Sequence, residues 1–153
     1  MKKSANLLFF ILIFYLLIGC NKSSIHKVNF NGKNAYNEVK ELVFYSPRDA
    51  GTTNGHKAAK HIYNKLRLYG IDAELDYFED NTPVGKKKMV NIIGRIPGKT
   101  KQWIILGSHF DTMPGIHNFQ GANDSGSSCG VLLEISRILA NKKLYHGLIF
   151  VFF

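Results

Sequence analysis

Three side chains that can bind a metal or move a proton lie close together in the sequence. His109 and Asp111 sit two positions apart in GSHFDT, directly after the apolar run WIIL, and Asp124 lies in GANDSGSS. Residues two apart in an extended chain point to the same side, so His109 and Asp111 are expected to face one site. Imidazole and carboxylate groups are ligands of zinc and similar divalent metals. The residue types therefore indicate a metal site.

Each motif also has an ordinary structural interpretation. A histidine at a strand end beside an aspartate is often a surface hydrogen bond, and GANDSGSS can be a capped turn before a helix. The two motifs together, at the same edge of a predicted sheet, favour the metal site. His117 lies in the loop between them and is a possible substrate contact, whereas the other histidines are assigned no metal role.

The segments around the motifs predict how they come together. Residues 103–108 and 147–153 have the apolar composition of strands, and residues 125–143 follow helical spacing. A strand–helix–strand unit of this kind pairs its strands in parallel. Ligands of such sheets collect at the carboxyl ends of the strands. His109 and Asp111 follow one strand, and Asp124 precedes the helix that starts at that same end.

The upstream segments complete an α/β pattern. Helices are predicted over 35–45 and 56–70, and strands over 73–78 and 89–96. The whole order predicts a sheet with helices on both faces. The imperfect alternation of 73–78 suggests a strand near the sheet edge, while the continuous apolar pairs of 89–96 and 103–108 suggest strands covered on both faces.

Composition narrows the classes of function. The chain has 153 residues, a length that fits one domain at most. Its net charge is +9. Its lysines and arginines are scattered in short runs and form no stripe with interleaved aromatics, so no nucleic-acid partner is expected. Cys129 lies within the predicted helix, where a small buried hydrophobic residue is expected rather than a nucleophile.

The N-terminus has the features of an export signal. Lys2 and Lys3 precede an apolar run over 5–18, and the segment ends in Leu-Ile-Gly-Cys at Cys20, which resembles the lipobox of bacterial lipoproteins. We expect a signal peptide over 1–19, lipid attachment at Cys20 and a polar tether over 20–33. An uncleaved anchor helix is the alternative. Either way, the protein is expected at the cell envelope, held to a membrane and facing the periplasm or the exterior.

The paired motifs also carry a family resemblance. GSHFDT, GANDSGSSCGVLLEISR and LIFVFF together resemble the M28 family of zinc exopeptidases, which includes glutaminyl cyclases, and the likeness extends over about 45–153. It implies a three-layer α/β fold with a mixed, mostly parallel sheet, of which 34–153 would be the N-terminal part. It also implies a two-zinc centre in which His109 binds one zinc and Asp124 bridges both. Asp111 would belong to the catalytic apparatus by orienting a ligand.

The resemblance leaves three functions open. The first is a zinc aminopeptidase that releases N-terminal amino acids from peptides. The second is a glutaminyl-peptide cyclotransferase, which would use one zinc and would not use His109 as a ligand. The third is an inactive, truncated lipoprotein, because the chain ends at Phe153 within a predicted strand. The family's remaining ligands and its general base are expected beyond that residue, so this part alone is expected to be inactive.

Overall fold

The computed structural model describes residues 29–153. Its helices are α1 Gly32–Val43, α2 Thr53–Leu68 and α3 Ser128–Leu139, and its strands are β1 Asp72–Thr82, β2 Gly85–Ile96, β3 Trp103–Ser108 and β4 Gly147–Phe152. A short kinked turn, Ala122–Ser127, directly precedes α3. The predicted order of helices and strands is confirmed.

The predicted signal peptide, Cys20 and most of the tether lie outside the described residues. Within the described part of the chain, no helix combines the length and the apolar character needed to cross a membrane.

Local capping explains where the first two helices begin and where α2 ends. The Asn31 side chain accepts hydrogen bonds from the backbone N–H groups of Lys33 and Asn34 at the start of α1. Thr52 does the same for Gly55 at the start of α2. These oxygens satisfy N–H groups that have no partner inside the helix. Gly70 follows α2 with φ +82°, the left-handed conformation in which a glycine commonly ends a helix.

The four strands form one mixed sheet in the order β1-β2-β4-β3. β3 and β4 pair in parallel, as the strand–helix–strand pattern predicts, whereas β1 with β2 and β2 with β4 pair antiparallel. The mixed sheet is confirmed, although only one of its three pairings is parallel. The strands β1 and β2 are longer than predicted because they form a hairpin that pairs as far as Thr82 and Gly85.

The core lies between the sheet and the helices on one of its faces. α2 contacts β1 and β2, α3 contacts β3 and β4, and the two helices contact each other, while α1 packs on α3. The largest buried apolar side chains come from both layers and include Ile62, Leu66, Ile92, Leu133, Phe150 and Phe152. Burying these side chains supplies most of the driving force for this part of the fold.

The opposite face of the sheet carries no helix among residues 29–153. β1 is an edge strand, as predicted, but β3 forms the other edge. The prediction that β3 is covered on both faces is wrong for this part of the chain, since Ile104 is 48% and Ile105 is 65% exposed. An apolar run shows that side chains favour burial, but it does not show which neighbours are present to bury them.

Candidate active site

The structure brings the three predicted residues of the site together. His109 and Asp111 follow β3, and Asp124 lies in the turn before α3. His109 Nδ1 lies 3.1 Å from Asp111 Oδ1, and His109 Nε2 lies 3.0 Å from Asp124 Oδ1. The imidazole is therefore held between two carboxylates that come from separate loops. The Asp124 side chain is 74% exposed, so it faces outward from the end of the sheet.

The donor atoms fit part of a zinc site. Two ligand atoms that share one zinc at about 2.0–2.2 Å lie about 3.3 Å apart in tetrahedral geometry, close to the 3.0 Å between His109 Nε2 and Asp124 Oδ1. A catalytic zinc usually takes three protein ligands. Within residues 29–153, no group of three His, Cys, Asp or Glu side chains is arranged to hold a metal. The described residues thus supply two donors, and the ligand roles of His109 and Asp124 remain predictions.

The turn that carries Asp124 requires a glycine at its start. Gly121 has φ +56°, and a Cβ there would lie 2.7 Å from Thr112 Cγ2 and 2.8 Å from the Asp124 backbone oxygen. Only glycine fits both the left-handed backbone and this close approach. The Gly121 carbonyl also accepts a hydrogen bond of 3.0 Å from the Gly126 N–H, which closes the turn around Asp124.

Direct hydrogen bonds connect this turn to the loop after β3. The carbonyl of His109 accepts hydrogen bonds from Ser125 Oγ and from Cys129 Sγ. Ser108, the last residue of β3, bonds to Ser128 at the start of α3. The backbone of His109 is therefore fixed by groups that flank Asp124 in sequence.

Cys129 lies directly beneath the site but is not a reactive group. Its side chain is fully buried, and burial raises the pKa of its thiol, although the Ser108 hydroxyl and the Arg48 charge oppose that effect. A thiol with a raised pKa is protonated at neutral pH and is a poor nucleophile. The sequence-based assignment of Cys129 as a buried hydrophobic residue is confirmed.

Sequence reasoning missed Arg48, which is fully buried beside the site. Its guanidinium donates to the carbonyls of Phe110, Gln120 and Gly121 and to the Ser46 hydroxyl. Arg48 follows Pro47 in a polar loop, where an arginine is normally solvent-exposed. Nothing in the local pattern distinguishes it, because the three carbonyls that it binds lie more than sixty residues away in sequence.

His117 does not join the cluster. It is exposed in the loop between the two motifs and makes no hydrogen bond or ion pair with His109, Asp111 or Asp124 in the described structure. Its predicted contact with substrate stays a prediction.

A mainly apolar cavity of about 180 Å³ adjoins Asp111. Its lining includes His56, Phe78, Phe110 and Phe153. Asp111 thus belongs to the polar cluster and also borders a space that can hold an apolar group.

The segment that carries both motifs is similar to a known protein family. Residues 91–153, which include both motifs, match the model of peptidase family M28. The resemblance predicted from the motifs is confirmed.

Relatives with known names fall into two kinds. The chain is 35% identical over 96 residues to a glutaminyl-peptide cyclotransferase of Drosophila melanogaster, covering 61% of this chain and 27% of that protein. Among solved structures, it matches a glutaminyl cyclase of Porphyromonas gingivalis with a TM-score of 0.75 and 34% identity over 81% of this chain and 45% of that one. It also matches a zinc-dependent exopeptidase of Parabacteroides distasonis with a TM-score of 0.73 and 27% identity over 82% of this chain and 47% of that one.

These matches confirm the predicted fold and cover only part of each relative. The mixed α/β architecture is that of the solved cyclases and exopeptidases. The chain spans about a quarter of the fruit-fly relative and slightly less than half of the two solved chains.

Proposed function

We propose that this chain forms part of a zinc-dependent enzyme that acts on the N-terminal residue of peptides. The observation that carries the proposal is the position of Asp124, an exposed carboxylate 3.0 Å from His109 Nε2 at the carboxyl end of the sheet. This pair lies in the segment that matches family M28, and one of the similar structures is described as zinc-dependent.

The reaction we propose is cyclisation of an N-terminal glutaminyl residue. The α-amine nitrogen attacks the side-chain amide carbon, a five-membered lactam forms and ammonia leaves with the proton that the amine gives up. The curated relatives support this choice, because those at 30–35% identity are named glutaminyl-peptide cyclotransferases. A bound zinc would polarise the amide carbonyl.

The residues of this chain would hold and orient that centre. Asp124 would bind the metal through its exposed carboxylate. When the His109 Nδ1–H donates a hydrogen bond to Asp111, the Nε2 lone pair is free to bind a zinc held beside Asp124, as a two-zinc hydrolytic centre would require. Asp111 would thus fix both the tautomer and the direction of the ring.

Hydrolytic removal of N-terminal residues is the second candidate. It is favoured by the 3.0 Å between His109 Nε2 and Asp124 Oδ1, which would let one zinc bind both atoms. The resemblance implies such shared binding for a centre with two zinc ions. It is also favoured by the similarity to a zinc-dependent exopeptidase.

Substrate assays with zinc analysis test the proposal. A full-length protein that contains this chain should convert an N-terminal glutaminyl peptide and release ammonia, and it should leave an aminoacyl chromogenic amide intact. The opposite preference would support the exopeptidase. The absence of both activities, together with an absence of bound zinc, would contradict the proposed function and favour the inactive lipoprotein.

A His109→Ala variant separates the two zinc centres. In a cyclase it should keep the zinc content of the unmodified protein, whereas a two-zinc exopeptidase should lose zinc. His117→Ala is the matched control for zinc content, because His117 is exposed and makes no hydrogen bond or ion pair with the three site residues in the described structure. If Asp124→Asn retains full zinc content, the assignment of Asp124 as a ligand is wrong.

We further propose that lipid on Cys20 holds the protein at the cell envelope, facing the periplasm or the exterior. The proposal rests on the sequence of residues 1–20 alone. Mass spectrometry of the purified membrane fraction should find the mature N-terminus at Cys20 with attached acyl chains. A Cys20→Ala variant should then leave that fraction.

A further inference from the structure

The strongest feature outside the three site residues is the buried guanidinium of Arg48. A buried charge is costly unless its hydrogen bonds are complete. Here every guanidinium nitrogen donates to an oxygen, and none of those oxygens belongs to a carboxylate. Arg48 is therefore not one half of an ion pair. Its bonds go to backbone carbonyls and one hydroxyl.

Those carbonyls come from the two loops that carry the site. Arg48 Nε donates to the Phe110 carbonyl at 2.5 Å, and Phe110 lies between His109 and Asp111. Nη2 donates to the Gly121 carbonyl at 2.8 Å, and Nη1 donates to the Gln120 carbonyl at 2.6 Å. One rigid group thus holds the loop after β3 at a fixed distance from the turn that presents Asp124.

The backbone of Arg48 adds a further connection to the first loop. Its N–H donates to Thr112 Oγ1 at 2.9 Å, and that hydroxyl donates in turn to Asp49 at 2.5 Å. Ser46 receives one Arg48 bond at 2.8 Å and donates to the Gln120 carbonyl at 2.7 Å. The segment 46–49 therefore contacts both site loops, and its side chains make no hydrogen bond or ion pair with the side chains of His109 and Asp124 in the described structure.

We propose that Arg48 is a positioning residue that fixes the turn presenting Asp124 against the loop after β3 and so raises the affinity of the Asp124 site for zinc. The proposal rests on the proposed function for the identity of the metal. The proposal depends on the planar shape of the guanidinium, which offers five donors in a fixed fork and can reach both loops at once. A lysine keeps the charge but concentrates its donors at one atom.

Zinc affinity measured by competition with a chromogenic chelator tests this in the intact protein. Arg48→Met and Arg48→Lys should each weaken zinc binding about 10- to 100-fold, the loss typical when groups that orient metal ligands are removed. Ser46→Ala should cause a smaller loss, since Arg48 Nη1 keeps the Gln120 carbonyl. Arg67→Lys, at an exposed arginine on α2, is the matched control and should change nothing.

Three results would overturn the proposal. They are unchanged zinc affinity in a folded Arg48→Met protein, full recovery of affinity in Arg48→Lys, and an effect of Ser46→Ala no larger than that of Arg67→Lys. The Ser46 variant keeps the test decisive if the Arg48 variants fail to fold, because it removes only one hydroxyl.

A zinc-free measurement separates this proposal from the proposed function. Hydrogen exchange at the Gly126 amide reports the turn around Asp124, because that amide donates to the Gly121 carbonyl that Arg48 also holds. Ser46→Ala and Arg48→Lys should accelerate its exchange relative to amides of α2. If the unmodified protein binds no zinc, the proposed function fails, while this exchange still decides whether Arg48 positions the turn. Equal exchange in all variants would count against it.

Discussion

At the scale of single residues, the site depends on side chains that are small or buried beneath the exposed carboxylate. Gly121 allows the turn to approach Thr112, and Cys129 fills the space under His109. Asp124 itself is mostly exposed. Asp124, which faces solvent, is thus held in place by buried neighbours.

Burial of Cys129 predicts an inert thiol. In a Cys20→Ala background, where Cys129 is the one remaining cysteine, we expect very slow reaction with Ellman's reagent at neutral pH and rapid reaction after denaturation. Burial raises the pKa of the thiol and also blocks access to it. Asn123→Cys in the same background provides an exposed control in the neighbouring turn. Comparable rates at Cys129 and at the control position would contradict the assignment.

At the scale of elements, α1 packs closely on α3 because Gly130 has no side chain. A Cβ at Gly130 would lie 2.4 Å from the Ala35 carbonyl oxygen and 2.9 Å from Val39 Cγ2. The crossing places α1 against the helix that begins just after Asp124. Glu134 of α3 adds to the same contact by accepting a hydrogen bond from the Asn31 N–H at 3.0 Å.

A Gly130→Ala substitution should therefore destabilise the protein. We expect the free energy of unfolding to fall by about 1–3 kcal/mol, since the added methyl forces the two helices apart. Gly32→Ala is the matched control, because nothing lies within 4 Å of its added Cβ in α1. The control should be neutral or stabilising by up to about 1 kcal/mol. Urea unfolding of both variants gives the comparison, and an equal response would exclude a close helix crossing at Gly130.

The contact between α1 and α2 contains a charged group with an altered pKa. Burial alone raises the pKa of Glu38, but His61 and Lys65 outweigh burial, so its pKa in the folded protein is lowered. Lys65 Nζ lies 2.9 Å from Glu38 Oε1, and Tyr69 donates to the same oxygen at 3.3 Å. The ionised carboxylate therefore stabilises the contact between the two helices.

This arrangement predicts a specific dependence of stability on pH. The contribution of Glu38 should be complete above its unfolded pKa, for which the ordinary value is 4.5. It should be lost as the pH falls through the lower folded pKa. Glu38→Gln should reduce the free energy of unfolding at neutral pH by about 1–3 kcal/mol and flatten its decline in acid. Glu41→Gln, at a more exposed site on the same helix, should do little. Acid titrations of urea unfolding measure both, and an unaltered profile in Glu38→Gln would refute the assignment.

At the scale of the whole molecule, the described residues form a sheet covered by helices on one face. The other face presents the half-buried side chains of Ile149 and Val151 beside exposed Trp103 and Ile105. β3 is also an edge strand, so one side of its backbone has no neighbouring strand within the described part of the chain. Exposed apolar strands at an edge promote self-association.

The 153-residue chain should therefore self-associate through this face. Ile105→Lys should lower light scattering of the purified chain at a given concentration, because it places a charge on the exposed edge strand. Leu68→Lys replaces a leucine that is also highly exposed but lies on α2, and it should have little effect. Equal effects of the two substitutions would show that general solubility, and not this face, controls association.

The sequence by itself determined the order of the elements, the parallel pairing of β3 with β4 and the meeting of His109, Asp111 and Asp124. These features follow from local periodicity and from the rule that a crossover helix starts where its strand ends. Only the tertiary structure showed that Arg48 hydrogen-bonds to both site loops, that Gly130 allows α1 to pack closely on α3, and that β3 lies exposed at an edge. Each of these depends on partners distant in sequence, and hydropathy or residue type at one position does not specify such partners.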